Sequence, residues 1–329
     1  MLLLFRRNDI LGFGILAFVA FLLQLAYFVN PPSIGELGNF YSNSFGRFNW
    51  LRNFYLASPR IYIFVSTLFW LGFSIYFKQV LVNLHLASRR DFIPSIALLL
   101  VVSCLPIFLV MSVASWAAVT FFIALGMILG TSYNKTARSR YFTIGSLIGF
   151  GTVLYWPYAW VFLAVILILL SMRIFVIQEL LALLLGFLFP LYLIWAVHYI
   201  ATGNLFTGSS LALHYALPVA IQYKVATLVF IIFFILLTFY GTYVSRMGII
   251  GNKLQHIKKW NGVLLFFFAS VLVGLSGKIF PSNAFILPLL SFSIILCSAL
   301  INNHKKYNTF TFYLVLVVVL SLQWVLRFI

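Results

Sequence analysis

The chain has 329 residues, of which 64% are hydrophobic, 19% aromatic and only 8% charged, with a formal net charge of +17. A soluble domain is about half apolar and a quarter charged, so this composition lacks the polar surface a soluble fold requires. Nor does the positive charge signal nucleic acid, because Lys and Arg stand in small groups between apolar runs and form no contiguous basic footprint.

The apolar runs are unbroken over about 17–25 residues and show no strand-like alternation, which fits membrane helices and not a barrel. In chain order the expected spans are 10–29, 61–84, 93–112, 114–131, 142–155, 158–172, 175–200, 225–245, 262–279, 283–301 and 309–328. The fold class expected is therefore an all-α polytopic bundle of about eleven transmembrane helices. It forms one transmembrane domain over 1–329, with two sizeable outer loops, 30–60 and 201–223. The first span follows Arg6 and Arg7 and runs into Asn30-Pro31-Pro32 without a small-residue cleavage site, so it reads as uncleaved. Pro106 and Pro190 fall inside spans and are expected to kink them. The pairs 93–131 and 142–172 turn over so few residues, at Ser112-Val113 and Trp156-Pro157, that each reads as a short hairpin.

Charge sets the orientation. Fifteen Lys and Arg, among them Lys78, Arg138, Arg140, Lys258 and Lys259, collect on one side; six, Arg47, Arg52, Arg60, Lys224, Lys278 and Arg327, collect on the other. Positive residues favour the cytoplasm, which places the N-terminus inside and the C-terminus outside. Merging 142–172 into one span would move the Arg246–Lys259 cluster outside, so the pair is kept as two.

Only four acidic residues exist. Asp9 and Asp91 each follow a pair of arginines at the inner interface, and a local ion pair or helix-start role is expected of both. Glu179 opens the seventh span, where a partner such as Arg173 or a backbone amide, and the helix dipole, favour a structural role. Glu36 differs, because it stands in the first outer loop ahead of a segment mixing aromatics with Arg47, Arg52 and Arg60. Residues 39–56 are expected to form a surface helix with Phe40, Phe48, Leu51 and Tyr55 on its apolar side. There Glu36 is the candidate catalytic base, and Arg47, Arg52 and Arg60 are candidate ligands of a phosphate or lipid headgroup.

The other chemistry-bearing residues read as structural. Cys104 and Cys297 lie in apolar runs and read as small buried hydrophobes. No two histidines have metal-ligand spacing on one helix face, so neither a metal nor a cofactor is expected. Gly145, Gly149 and Gly151 give the fifth span a small-residue face that lets another helix come close.

The stretch Tyr133–Gly149, then Tyr155-Trp156-Pro157, Arg173-Ile174-Phe175, Gln178-Glu179 and Gly186–Pro190 resembles an uncharacterised Bacteroidota family of polytopic inner-membrane proteins. That resemblance runs over much of the chain, best in residues 80–200, and implies a Gram-negative inner membrane without implying an activity. In layout alone, a first span, an outer loop with an acidic residue and later helical pairs, the chain is also similar to lipid-linked-sugar glycosyltransferases of the C superfamily. It departs from them in having one acid in that loop and none in the second outer loop. Three functions are therefore weighed. The first is a non-catalytic subunit or scaffold for envelope biogenesis or protein secretion, with membrane-protein partners and membrane lipids around it. The second is a transferase using a polyprenyl-phosphate-linked substrate, and the third is a lipid or small-solute transporter.

Overall fold

A computed structural model of the chain describes residues 10–32, 49–87, 91–104, 106–131, 138–172, 177–203, 235–243, 254–275, 285–302 and 315–319, and its regular elements are all helical. They are α1 (Ile10–Val29), α2 (Asn49–Ala57), α3 (Pro59–Asn83), α4 (Ile93–Val102), α5 (Pro106–Leu109), α6 (Val113–Leu129), α7 (Arg138–Leu154), a 3₁₀ turn (Trp156–Trp160), α8 (Val161–Met172) and α9 (Ile177–Thr202). After them come α10 (235–243), α11 (Leu254–Leu275) and α12 (Ile286–Asn302). Among the described residues, four helices are long and apolar enough to cross a bilayer: Gly12–Val29, Pro59–Asn83, Ile177–Ile200 and Ile257–Gly274. Shorter apolar helices cover Ile93–Val102, Val113–Leu129, Trp156–Ser171 and Ile286–Ser298. Only 235–243 of the expected span 225–245 and 315–319 of 309–328 are described.

Contacts between helices give their directions. Phe69 meets Trp116, Phe77 stacks on Phe122, and Gly126 faces Val80, so α3 and α6 run parallel. Gly151 of α7 faces Phe121, while Arg140 reaches the Met127 carbonyl, so α7 runs antiparallel to α6. Gly145 faces Leu183 and Gly149 faces Phe187, so α9 is parallel to α7, with α8 bringing the chain back between them. Yet α7 packs on α6 and α9 while α8 packs on α11, so the two helices diverge from the 3₁₀ turn and do not zip together as a hairpin.

These directions define two ends. One holds the C-termini of α3 and α6 and the N-termini of α4, α7, α9 and α11, with Lys78, Arg138, Arg140, Lys258 and Lys259. The opposite end holds α2, Arg52 and Arg60. The described cations that the sequence sorts onto different sides thus lie at different ends.

At the centre sits α4, all ten of whose residues are buried. Ten helical residues rise about 15 Å, half of a bilayer core. The helix stops because Pro106 has no amide to donate and restricts the residue before it. The chain turns at Ser103-Cys104, makes the single turn α5, and extends to Ser112, which opens α6. Ser112 and Ser115 form a capping box without any charge, each hydroxyl accepting the other's backbone amide at 3.2 Å. Pro106 therefore breaks its span, whereas α9 continues through Pro190.

Such a break strands backbone polar groups where no water can reach them. α3 supplies the partners. Tyr62, Ser66, Trp70, Ser74 and Lys78 recur every fourth residue along one buried stripe. The Tyr62 hydroxyl donates to the Met111 carbonyl at 2.5 Å, and the Met111 amide donates to the Ser66 hydroxyl at 3.0 Å. The Trp70 indole donates to the Leu109 carbonyl at 2.9 Å, and the Ser95 hydroxyl donates to the Ser74 carbonyl at 2.9 Å. The end of the irregular segment, at Leu109 and Met111, is thus zipped to α3.

The α7–α9 seam uses the opposite device. A Cβ added at Gly145 would collide with the Leu183 carbonyl oxygen, at Gly149 with that of Phe187, and at Gly186 with that of Phe142. The two backbones touch because all three positions lack a side chain. The small-residue face expected of Gly145, Gly149 and Gly151 is realised, with Gly151 turned instead to Thr120 and Phe121 of α6.

Candidate functional site

The strongest candidate lies where the ladder of α3 ends. Lys78 is only 7% exposed, although it carries a charge inside a candidate span. Its ammonium stands 3.6 Å above the centre of the Phe92 ring, which is itself buried. Asp91, half-buried and immediately before the N-cap of α4, acts on Lys78 by its charge. Both α3 and α12 pack against α4. A desolvated cation over an aromatic face is held by about 2 kcal/mol or more.

Beside this pair, α3 terminates in an unusual way. The Leu86 amide bonds the Leu81 carbonyl at 2.9 Å and the His85 amide bonds that of Val82 at 3.0 Å, the two bonds of a Schellman close. The left-handed position that glycine normally fills is occupied by His85, at φ 60°. Lys259 of α11 then donates to the Leu84 carbonyl at 3.1 Å. Arg140 does the same for α6 through the Met127 carbonyl, at 3.0 Å. Two cations from later helices thus cap the negative ends of two earlier ones, a favourable placement for each.

What this arrangement does chemically is fix positive charge at defined depth and tie α3 to α4 and α11, and α6 to α7. Among the described residues no three His, Cys, Asp or Glu side chains gather as a metal cage requires. Cys104 is buried, with its thiol against the Leu100 carbonyl at 3.3 Å.

The residues expected to form a site from sequence fare differently. Glu36 and Arg47 lie outside the described residues, as do Phe40, Phe48, Asp9 and Arg173. Arg52 and Arg60 are exposed at the end opposite Lys78. Of the surface helix expected over 39–56, residues 39–48 lie outside the described residues and 49–56 fall in α2, Asn49–Ala57. Its inner side corrects the expectation: Leu51 and Tyr55, 1% and 5% exposed, pack on Tyr62, Val110 and Met111, not towards lipid. The Tyr55 hydroxyl donates to the Pro32 carbonyl. Trp50 and Phe54 occupy the exposed flank. Glu179 sits buried in the first turn of α9, as a helix-start carboxylate should, beside the Arg138–Gln178 hydrogen bond that joins the two parallel N-termini.

Sequence reasoning passed over Lys78, which the charge count assigned to a cytoplasmic gap. The signal that finds it is the four-residue recurrence of hydrogen-bonding side chains from Tyr62 to Lys78 within an apolar run. No protein-family model matches the chain, and comparison with curated proteins and with solved structures likewise finds no match.

Proposed function

We propose that the chain is a non-catalytic integral inner-membrane subunit or scaffold, acting in envelope biogenesis or protein secretion and crossing the membrane about eleven times with its N-terminus inside. One observation carries this reading: the buried polar side chains of α3 are spent on architecture. Tyr62, Ser66 and Trp70 satisfy the backbone of the broken helix, and Lys78 holds Asp91 and Phe92 at its foot. The hydroxyls of Ser270, Ser293 and Ser298 return to carbonyls three residues earlier on their own helices. A catalytic or conducting interior keeps polar groups for a substrate, whereas these serve the fold.

The transferase reading keeps one supporting observation, a surface helix, α2, with Arg52 exposed where a phosphate-bearing lipid would approach. Replacing Glu36 by Gln separates the two readings, since it keeps size and removes basicity. A scaffold carrying Glu36→Gln retains cellular function and still migrates, in mild detergent, as a complex well above its own 37.5 kDa. Loss of function with an intact complex supports the transferase and overturns the scaffold.

A further inference from the structure

We propose that residues 49–60 form an anionic-phospholipid site at the end opposite Lys78, with Trp50 and Phe54 entering the headgroup boundary and Arg52 and Arg60 taking lipid phosphate. This goes beyond the subunit reading and does not depend on it.

Depth is the first argument. α2 lies between the end of α1 at Val29 and the start of α3 at Pro59, both candidate spans, and Tyr55 ties it to Pro32 just past α1. On α3, Ile61, Phe64 and Leu68 are 58%, 44% and 47% exposed and recur at helical spacing, so they form a lipid-facing stripe. Arg60, itself exposed, stands directly before that stripe begins, where acyl chains give way to headgroups.

The two flanks of α2 are the second argument. Leu51 and Tyr55 hold one flank against Tyr62 and Met111. About a quarter turn round the helix, Trp50 and Phe54, 60% and 36% exposed, share a flank open to the boundary. A tryptophan there keeps an apolar body in lipid and an N–H in the wet layer.

Charge selects the occupant. The segment Asn49–Arg60 carries two arginines and no acid. Guanidinium groups meet phosphate with forked, charge-assisted hydrogen bonds. A zwitterionic headgroup offsets its own phosphate with a cation, so the surface favours an anionic lipid, by about fivefold for each arginine.

The test uses the full chain in nanodiscs of phosphatidylcholine with one-fifth phosphatidylglycerol, brominating one lipid at a time. The emission assigned to Trp50 is the difference between the chain and its Trp50→Phe variant. Bromination of phosphatidylglycerol should quench that emission several-fold more, per mole, than bromination of phosphatidylcholine. Arg52→Gln/Arg60→Gln should bring the ratio back to one without lowering the unfolding midpoint, since Leu51 and Tyr55 are untouched. Should that variant misfold, Arg52→Lys/Arg60→Lys keeps the charge, loses the fork and should give an intermediate ratio. Equal quenching by both lipids, or none by either, overturns the proposal. So does relief of quenching by a small fraction of undecaprenyl phosphate, which would assign the site to a polyprenyl lipid.

Discussion

Two seams hold this molecule together by opposite means. Between α7 and α9 the helices approach until backbones touch, and Gly145, Gly149 and Gly186 contribute by having nothing there. Between α3 and the broken segment α4–α5 the contact is made of side chains reaching across, Tyr62, Ser66 and Trp70 among them. The first device joins two intact helices whose hydrogen bonds are internally complete, so only packing is at stake. The second is required wherever a helix breaks at membrane depth, because stranded carbonyls and amides need partners. The difference teaches that a glycine seam has no tolerance for added volume, whereas a polar ladder loses strength one rung at a time.

The largest effect should come from adding volume to the glycine seam. Gly145→Val or Gly149→Leu places atoms inside a neighbouring backbone, which a flexible side chain cannot yield to. The loss should be on the order of 4 kcal/mol or more, read by detergent-titrated unfolding, while Gly14→Ala, with open space around it, should be neutral. A tolerated Gly149→Leu would mean that the helices do not meet backbone to backbone.

Next comes the foot of the ladder. Lys78→Met keeps the length of the side chain and leaves Asp91 without its cation. Breaking a fully buried pair costs about 3–5 kcal/mol, and Asp91 is half-buried, so about 2–3 is expected. Removing both charges, as Lys78→Met/Asp91→Asn, should recover part of the loss; failure to recover any would show that the two charges are not coupled.

A single rung should matter less. Trp70→Phe retains the ring packing and deprives the Leu109 carbonyl of its donor, which should cost about 1–2 kcal/mol. The smallest effect should be a gain. His85→Gly relieves a left-handed residue at the close of α3 and should raise the unfolding free energy by about 1 kcal/mol, with Lys259 still able to reach the Leu84 carbonyl.

Much of this was legible in the residues, unevenly. Span 10–29 and α1 coincide, α3 starts and ends within two residues of its expected bounds, and Gly145 and Gly149 announced their seam. These are read directly from apolar length and small-residue spacing. The sequence predicts a kink at Pro106 and at Pro190 alike, and nothing local says that only the first becomes a break or which neighbour satisfies the freed groups, since Trp70 and Leu109 are far apart in the chain. A charge count puts Lys78 on the same side as Arg138 and Lys259, but does not show that it is buried or that Asp91, just before the N-cap of α4, acts on it by its charge. Leu51 and Tyr55 were grouped correctly on one face of α2 yet aimed the wrong way. Helical period says which residues share a face, and only the tertiary structure says whether that face meets lipid or protein.

Through Leu109 and Met111, α3 zips the end of the broken segment into place, as a scaffold needs and a moving gate does not. Hydrogen–deuterium exchange of residues 103–112 in lipid nanodiscs tests it most directly, because those amides lie outside any long helix. The account predicts exchange as slow as that of α6, with Ser66→Ala selectively accelerating Met111, whose amide has Ser66 as its acceptor. Exchange across 103–112 as fast as on exposed α2, unchanged by Ser66→Ala, would contradict it.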